Sequence, residues 1–389
     1  MTVAENKNQH YVPRMYLRNF SSTDSKKTIH LYNLPSQKAR SNAPLKSQCS
    51  APYFYGKDSV VDKALQELEG VVTGIIRDII LTNTVPKPRS IEFGKLLTFT
   101  LFLYCRTKYA ANVQNDIAEK FIKSILEKEG IIDKEQINAV KIGLTDPAGT
   151  VLRAAAQGVI LALDLKMKVL FNLTSVEFIT SDNPVVFYNQ CFEGANPIIG
   201  SNTGFACKGL QIFLPLSPQH LLILYDSKVY KVGDKKSDSC EVTNPDDAWQ
   251  FNDLQYQNCL ENLYAFGDFT SADIFVLEQR NRMRTRIGMS ILNEYDQGKR
   301  PDGNRSVLMH MIKPDHRIKL SVQPIRQFVK LSEDELNSSP KQFRKPDLLR
   351  IAKEFWDAVD AKKYAPNEMI RFVEDKMKAL VPSGSVKGN

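Results

Sequence analysis

The chain has 389 residues, 42% hydrophobic and 25% charged, a balance that excludes a disordered or fibrous protein and supplies a sizeable core. Its formal net charge of +8 is compatible with nucleic acid, a nucleotide or an anionic surface as partner, although clusters such as Lys26-Lys27 and Lys235-Lys236 alternate with acids as solvated faces do. Six cysteines (Cys49, Cys105, Cys191, Cys207, Cys240, Cys259) stand singly with no C-x-x-C pair, which excludes zinc ribbons and dithiol redox motifs and points to a reducing, cytoplasmic setting.

In chain order, MTVAENKNQH lacks the apolar stretch of a secretory signal. His10 to Phe20 (HYVPRMYLRNF) reads as a helix with Pro13 in its first turn, and Thr28 to Leu34 as a strand. Pro35 to Lys57 is turn-rich. Val60 to Leu81 carries one apolar stripe at helical spacing, through Val61, Leu65, Leu68, Val72, Ile75, Ile76 and Ile79. A second periodic segment runs from Ser90 to Lys128, with room for an interruption. Its most apolar part, Leu96 to Cys105, is about half the length a bilayer requires, so no membrane span is expected. Asp133 to Ile142 and Pro147 to Asp164 read as helices, the latter capped by Asp146.

From Lys166 the pattern changes to short β-rich runs: 169–173, 177–180, 185–188, 210–214, 221–225 and 229–232. Asn244 to Phe266 reads as helix, Asp273 to Leu277 as strand. GKRPDGN at 298–304 is a candidate linker, followed by a strand-like run at Ile318 to Val322 and helices at Pro346 to Ala361 and Asn367 to Leu380. Helices, then strands, then helices predict an α+β fold: an N-terminal helical region packed on a mainly antiparallel sheet, with a smaller C-terminal α/β accessory region. The expected division is a core over 1–297 (helical 1–165, sheet-rich 166–297), an accessory region over 298–381 and a disordered tail over 382–389. No Gly-rich phosphate loop and no G-x-S-x-G elbow occurs.

Four places carry candidate chemistry. His10 precedes a helix start and is followed by Arg14, a pairing that suits proton transfer or anion contact, or local capping. On the first long helix Asp62 and Glu69 fall on an edge of the apolar stripe while Glu67 faces water, which makes Glu69 the candidate carboxylate. Arg106 shares its side of the second helix with Leu96, Phe99, Leu103 and Ala110, so the apolar face carries a guanidinium that needs a carboxylate, several carbonyls or a bound anion such as phosphate, with Glu69 or Asp182 as structural partners. Thr180-Ser181-Asp182-Asn183-Pro184 ends a strand: Asp182 and Asn183 offer oxygens to a divalent cation, or simply build a turn.

The combination of QHYVPRMYLRNF, Phe54-Tyr55-Gly56, Glu67 to Glu69, TSDNPVV from Thr180 and LPLSP from Leu214 resembles the bacterial family called domain of unknown function 4238, over about residues 8 to 270. The resemblance implies that the four places form one recurring constellation, and it brings no activity with it. Two readings follow. In one, the chain is a metal-assisted hydrolase of nucleic acid or nucleotides with a defence or toxin-like role. His10, Glu69 and Asp182 would then be catalytic, Arg14, Arg106 and Asn183 would bind, and Mg²⁺ or Mn²⁺ would be the cation. In the other, it is a non-catalytic ligand- or partner-binding module whose polar motif residues hold the fold.

Overall fold

The computed structural model describes residues 7–57, 60–130, 133–193, 202–282, 290–299, 305–312, 318–337 and 343–379. Strand β1 (Asn8–His10) turns at Pro13, whose extended backbone sets the corner, into the single-turn helix α1 (Arg14–Leu17) and a 3-10 turn ending at Phe20. Strands β2 (Thr28–Asn33), β3 (Lys38–Pro44) and β4 (Ser50–Pro52) follow. Only β2 is expected from the sequence. β3 reads KARSNAP and is exposed over most of its length, so it has no apolar alternation to find.

Helix α2 (Val60–Thr82) buries Leu65, Val72, Ile76 and Ile79, residues of the expected stripe. The long periodic segment divides into α3 (Ile91–Cys105) and α4 (Lys108–Lys128). Arg106 ends α3 by donating its N–H to Phe102 O, and Thr107 starts α4 by accepting from Ala110 N. Arg106 therefore sits at the corner between two helices. Helices α5 (Lys134–Ala139) and α6 (Pro147–Gly158) complete the helical part, with Asp146 capping α6 as expected.

The β-rich part comprises β5 (Lys166–Asn172), β6 (Thr180–Ser181), β7 (Val186–Tyr188), β8 (Gln211–Ser217), β9 (His220–Tyr225), β10 (Tyr230–Val232) and β11 (Ser239–Val242). Helix α7 (Pro245–Asn258) then leads to β12 (Asn262–Ala265) and α8 (Ser271–Arg280). Two expectations fail here. The helix expected through Phe266 stops at Asn258, since residues 262–265 pair between β2 and β6. Asp273 to Leu277 is helical, because Thr270 and Asp273 cap each other's backbone reciprocally.

The remainder holds β13 (Ile291–Lys299), β14 (Arg305–Ile312), β15 (Ile325–Gln327), α9 (Glu333–Asn337), α10 (Pro346–Asp360) and α11 (Met369–Ala379). The turn-rich 298–304 joins β13 to β14 in a hairpin, with residues 300–304 outside the described residues, as is the tail at 382–389. Ile318 to Val322 is not a strand, yet it delivers Leu320 and Val322 to the core.

The fold is α+β. Its centre is a five-stranded sheet in the order β11-β5-β9-β8-β7, antiparallel except for β11 beside β5. Along β8 and β9 alternate residues enter different cores. Ile212, Leu214, Leu216, Leu222 and Leu224 pack with α2 and α3, while Phe213, Leu221, Ile223 and Tyr225 pack with Phe251 and Leu254 of α7. Both faces are covered, which is why these strands read as unbroken apolar runs. A second sheet, β3-β2-β12-β6, abuts it. The C-terminal elements lie on this body. β15 pairs with β10, and α10 and α11 pack with Ile160. The buried Arg344 binds Asp164 and donates to the carbonyls of Leu161, Phe205 and Cys207.

Candidate functional site

The motif segments converge on the corner between α3 and α4. Pairing of β1 with β4 brings QHY beside FYG: Gln9 Oε1 accepts from Tyr55 N at 2.7 Å, and its Nε2 donates to Gly56 O at 3.2 Å. Gly56 has φ +92°, where a side chain would be strained. His10 is half-buried, with Nδ1 at 3.0 Å from Gln48 O. A carbonyl only accepts, so Nδ1 carries the proton, and no described group bonds Nε2. Burial lowers the His10 pKa below 6.5, and the charges of Arg14 and Arg106 lower it further, which keeps the ring neutral near pH 7. Arg14 itself is exposed.

Arg106 is 2% exposed and cannot shed its charge. Its guanidinium donates to Glu69 Oε1 (2.7 Å), His10 O (2.9 Å) and Tyr11 O (3.2 Å), and lies 5.8 Å from the centre of the Tyr55 ring. Glu69, expected at the edge of α2, is thus the ion-pair partner of Arg106, and its side chain is 19% exposed. Glu67 is exposed as expected. Asp62 accepts from Gln66, and burial raises its pKa.

Asp182 is 3% exposed. Its carboxylate accepts three backbone N–H groups, from Leu260 (2.8 Å), Glu261 (2.7 Å) and Asn262 (3.0 Å). Burial nevertheless outweighs these donors and raises its pKa. The ion-pair partner of Arg106 is Glu69, and no bond links Arg106 to Asp182. Asn183 is held on every side: Oδ1 accepts from Thr107 Oγ1 at 3.1 Å, Nδ2 donates to Asn258 O at 2.9 Å, and Asn258 Nδ2 donates to the carbonyls of Asn183 and Val185. Tyr16 OH reaches Thr180 Oγ1 (2.6 Å) and Pro215 O (2.7 Å), tying the first motif to TSDNP and LPLSP.

The four places meet at one corner of the fold: His10 and Glu69 are both bonded to Arg106, and Thr107, next to Arg106 in the chain, bonds Asn183, which follows Asp182. Among the described residues no group of three or more His, Cys, Asp or Glu side chains is placed to hold a metal ion. No helix among them is long and apolar enough to cross a membrane.

Several participants carry no sequence signal of their own. Cys49 Sγ lies 3.3 Å from Tyr264 OH, which also donates to Gln48 Oε1, and Tyr11 joins them. Burial pushes the Cys49 thiol and the Tyr11 and Tyr264 hydroxyls far up, so all three stay protonated and unreactive near pH 7. Thr107 is legible only as a helix start inside a long periodic stretch, and Asn258 only as a helix end.

The sequence profile of the family described as "Protein of unknown function (DUF4238)" matches residues 8–266. The chain belongs to this family. The matched region contains every residue of the network just described, from Gln9 to Tyr264, and leaves α8 to α11 outside. No curated protein and no solved structure matches the chain.

Proposed function

We propose that this chain is a ligand- or partner-binding module in which the family motif is the internal frame. The observation that carries this reading is the carboxylate of Asp182, buried and bonded to three consecutive backbone N–H groups. A group so held fixes the chain direction after α7 and leaves little for a cation or substrate. Arg106 follows the same logic, because its guanidinium ties α3 to the carbonyls of His10 and Tyr11 and to Glu69 on α2. Asn183 likewise has its Oδ1 bonded to Thr107 and its Nδ2 to the Asn258 carbonyl. The test is thermal unfolding of Asp182→Ala and His10→Ala. A frame predicts a lower melting temperature for Asp182→Ala, whereas a catalytic carboxylate predicts little change or a gain.

One observation favours a second reading. His10 has a fixed tautomer, a depressed pKa and an Nε2 with no described partner, the state a general base requires. In that reading the protein is a hydrolase of nucleic acid or nucleotides in cellular defence, using Mg²⁺ or Mn²⁺. His10, Glu69 and Asp182 would be its catalytic groups, and Arg14, Arg106 and Asn183 would contact phosphate. Incubation of the purified chain with DNA, RNA and nucleotides in either cation decides it. Cleavage that disappears in His10→Ala would replace the binding-module reading.

A further inference from the structure

Away from the motif network, helix α7 carries a polar ladder at helical spacing: Asp246, Gln250, Asp253 and Gln257. Ladders of this kind usually face water. Here the opposite stripe (Ala248, Phe251, Leu254) enters the central core, Asp246 is exposed, and Gln250, Asp253 and Gln257 line a cavity of about 420 Å³. The end of α8 (Arg280, Asn281) and residues 318–321 form its other walls.

The lining is preorganised. Asp253 accepts from Arg280 Nε and Asn281 Nδ2, each at 2.8 Å, and Gln257 Nε2 donates to Asn281 Oδ1 at 2.8 Å. Gln250 exchanges hydrogen bonds with the backbone of Ser321, at 2.9 Å and 2.7 Å, which fixes the far wall. Gln257 is 4% exposed, yet its Oε1 has no donor among the described residues, and Gln257 lines the cavity. A bound hydroxyl could donate to this oxygen. On the donor side, Arg280 Nη2 and Lys319 Nζ have no partner among the described residues.

Charge decides the ligand class. Arg280 is neutralised by Asp253 and Asp246, at 2.8 Å each, so a second anion at its guanidinium would meet two carboxylates. Among the described lining residues, exposed Lys319 is the one charged group without an ion-pair partner. A hydroxyl both donates and accepts, which matches a lining that offers donors on Arg280 and Lys319 and an acceptor on Gln257, with Ile318 as the apolar residue among the described lining for C–H groups. The volume falls in the ordinary range for small-molecule sites, about 300–1,000 Å³. We infer that the cavity between α7, α8 and residues 318–321 binds a neutral polyhydroxylated small molecule, of the size of a mono- or disaccharide. This inference rests on the binding-module reading and adds its site and ligand class.

The experiment is saturation-transfer NMR on the full chain with glucose, ribose, maltose and glycerol, each alone, with glucose 6-phosphate as the anionic control. The expected result is transfer to at least one neutral compound at millimolar concentration, weakened about fivefold or more in Gln257→Met and in Lys319→Ala. Lys319 is exposed and makes no hydrogen bond or ion pair among the described residues, so Lys319→Ala remains a valid test if Gln257→Met fails to fold. No transfer from any neutral compound, or transfer unchanged in every folded variant, overturns the inference. So does a preference of about tenfold or more for glucose 6-phosphate over glucose. If the panel fails while Asp182→Ala still lowers stability, only the ligand assignment falls. If Asp182→Ala is neutral, the binding-module reading falls with it.

Discussion

Replacing Asp182 with alanine removes the side-chain acceptor of three consecutive part-buried N–H groups, those of Leu260, Glu261 and Asn262. A buried donor left unsatisfied costs about 1–3 kcal/mol. Three of them set a range of about 3–9 kcal/mol, and water entering the space of the lost carboxylate relieves part of it, so we expect about 3–5 kcal/mol. The loss spreads, since these residues lead into β12, which pairs with both β2 and β6. Urea unfolding followed by fluorescence of Trp249 and Trp356 reads the change. With the steep denaturant dependence of a chain this long, the midpoint should fall by about 1 M with little change in slope. Asp182→Asn should cost less but still destabilise, because its oxygen can keep the bonds from Glu261 and Asn262 while its NH₂ faces the N–H of Leu260. A midpoint within about 0.2 M of the wild type for both variants would refute the reasoning and return Asp182 to the list of catalytic candidates.

Arg106→Lys should destabilise by about 2–4 kcal/mol in the same assay, since a point charge cannot serve Glu69 and the two carbonyls of His10 and Tyr11 together. Arg344→Ala should cost about 3–5 kcal/mol by stranding the nearly buried Asp164 and three carbonyls, and it should loosen the C-terminal helices in hydrogen exchange. Because burial lowers the His10 pKa, the unfolded chain binds a proton below pH 6.5 that the folded chain refuses. Its contribution is therefore present above 6.5 and lost as the pH falls through the window beneath it. Subtracting the stability profile of His10→Asn isolates this from the similarly buried His220, and an unchanged slope would contradict the assigned environment.

Much of the architecture was legible because the signals were local. The apolar stripe of α2, the Asp146 cap of α6 and the change to β-rich runs after Lys166 each depend on neighbours in sequence. What escaped was set at a distance. β12 is a strand because β2 and β6 flank it, and exposed β3 has no pattern to betray it. The candidate site shows the same divide. Residue chemistry identified His10, Glu69, Arg106, Asp182 and Asn183 as special, and they do meet at one corner of the fold. Their partners could not be read off, because Asp182 finds amides about eighty residues downstream and Asn183 finds Thr107 at a helix junction hidden within one long periodic stretch.

The way the C-terminal elements lie on the body bears on how the chain is made. The portion matched by the family profile ends at residue 266, yet β10 acquires its partner β15 and Ile160 acquires its helical cover only after another sixty to a hundred residues. During synthesis these surfaces must wait, bare, while the ribosome makes the stretch that follows residue 266. A fragment cut at the profile boundary would keep them bare permanently, exposing an open strand edge and an apolar helix seat to other chains.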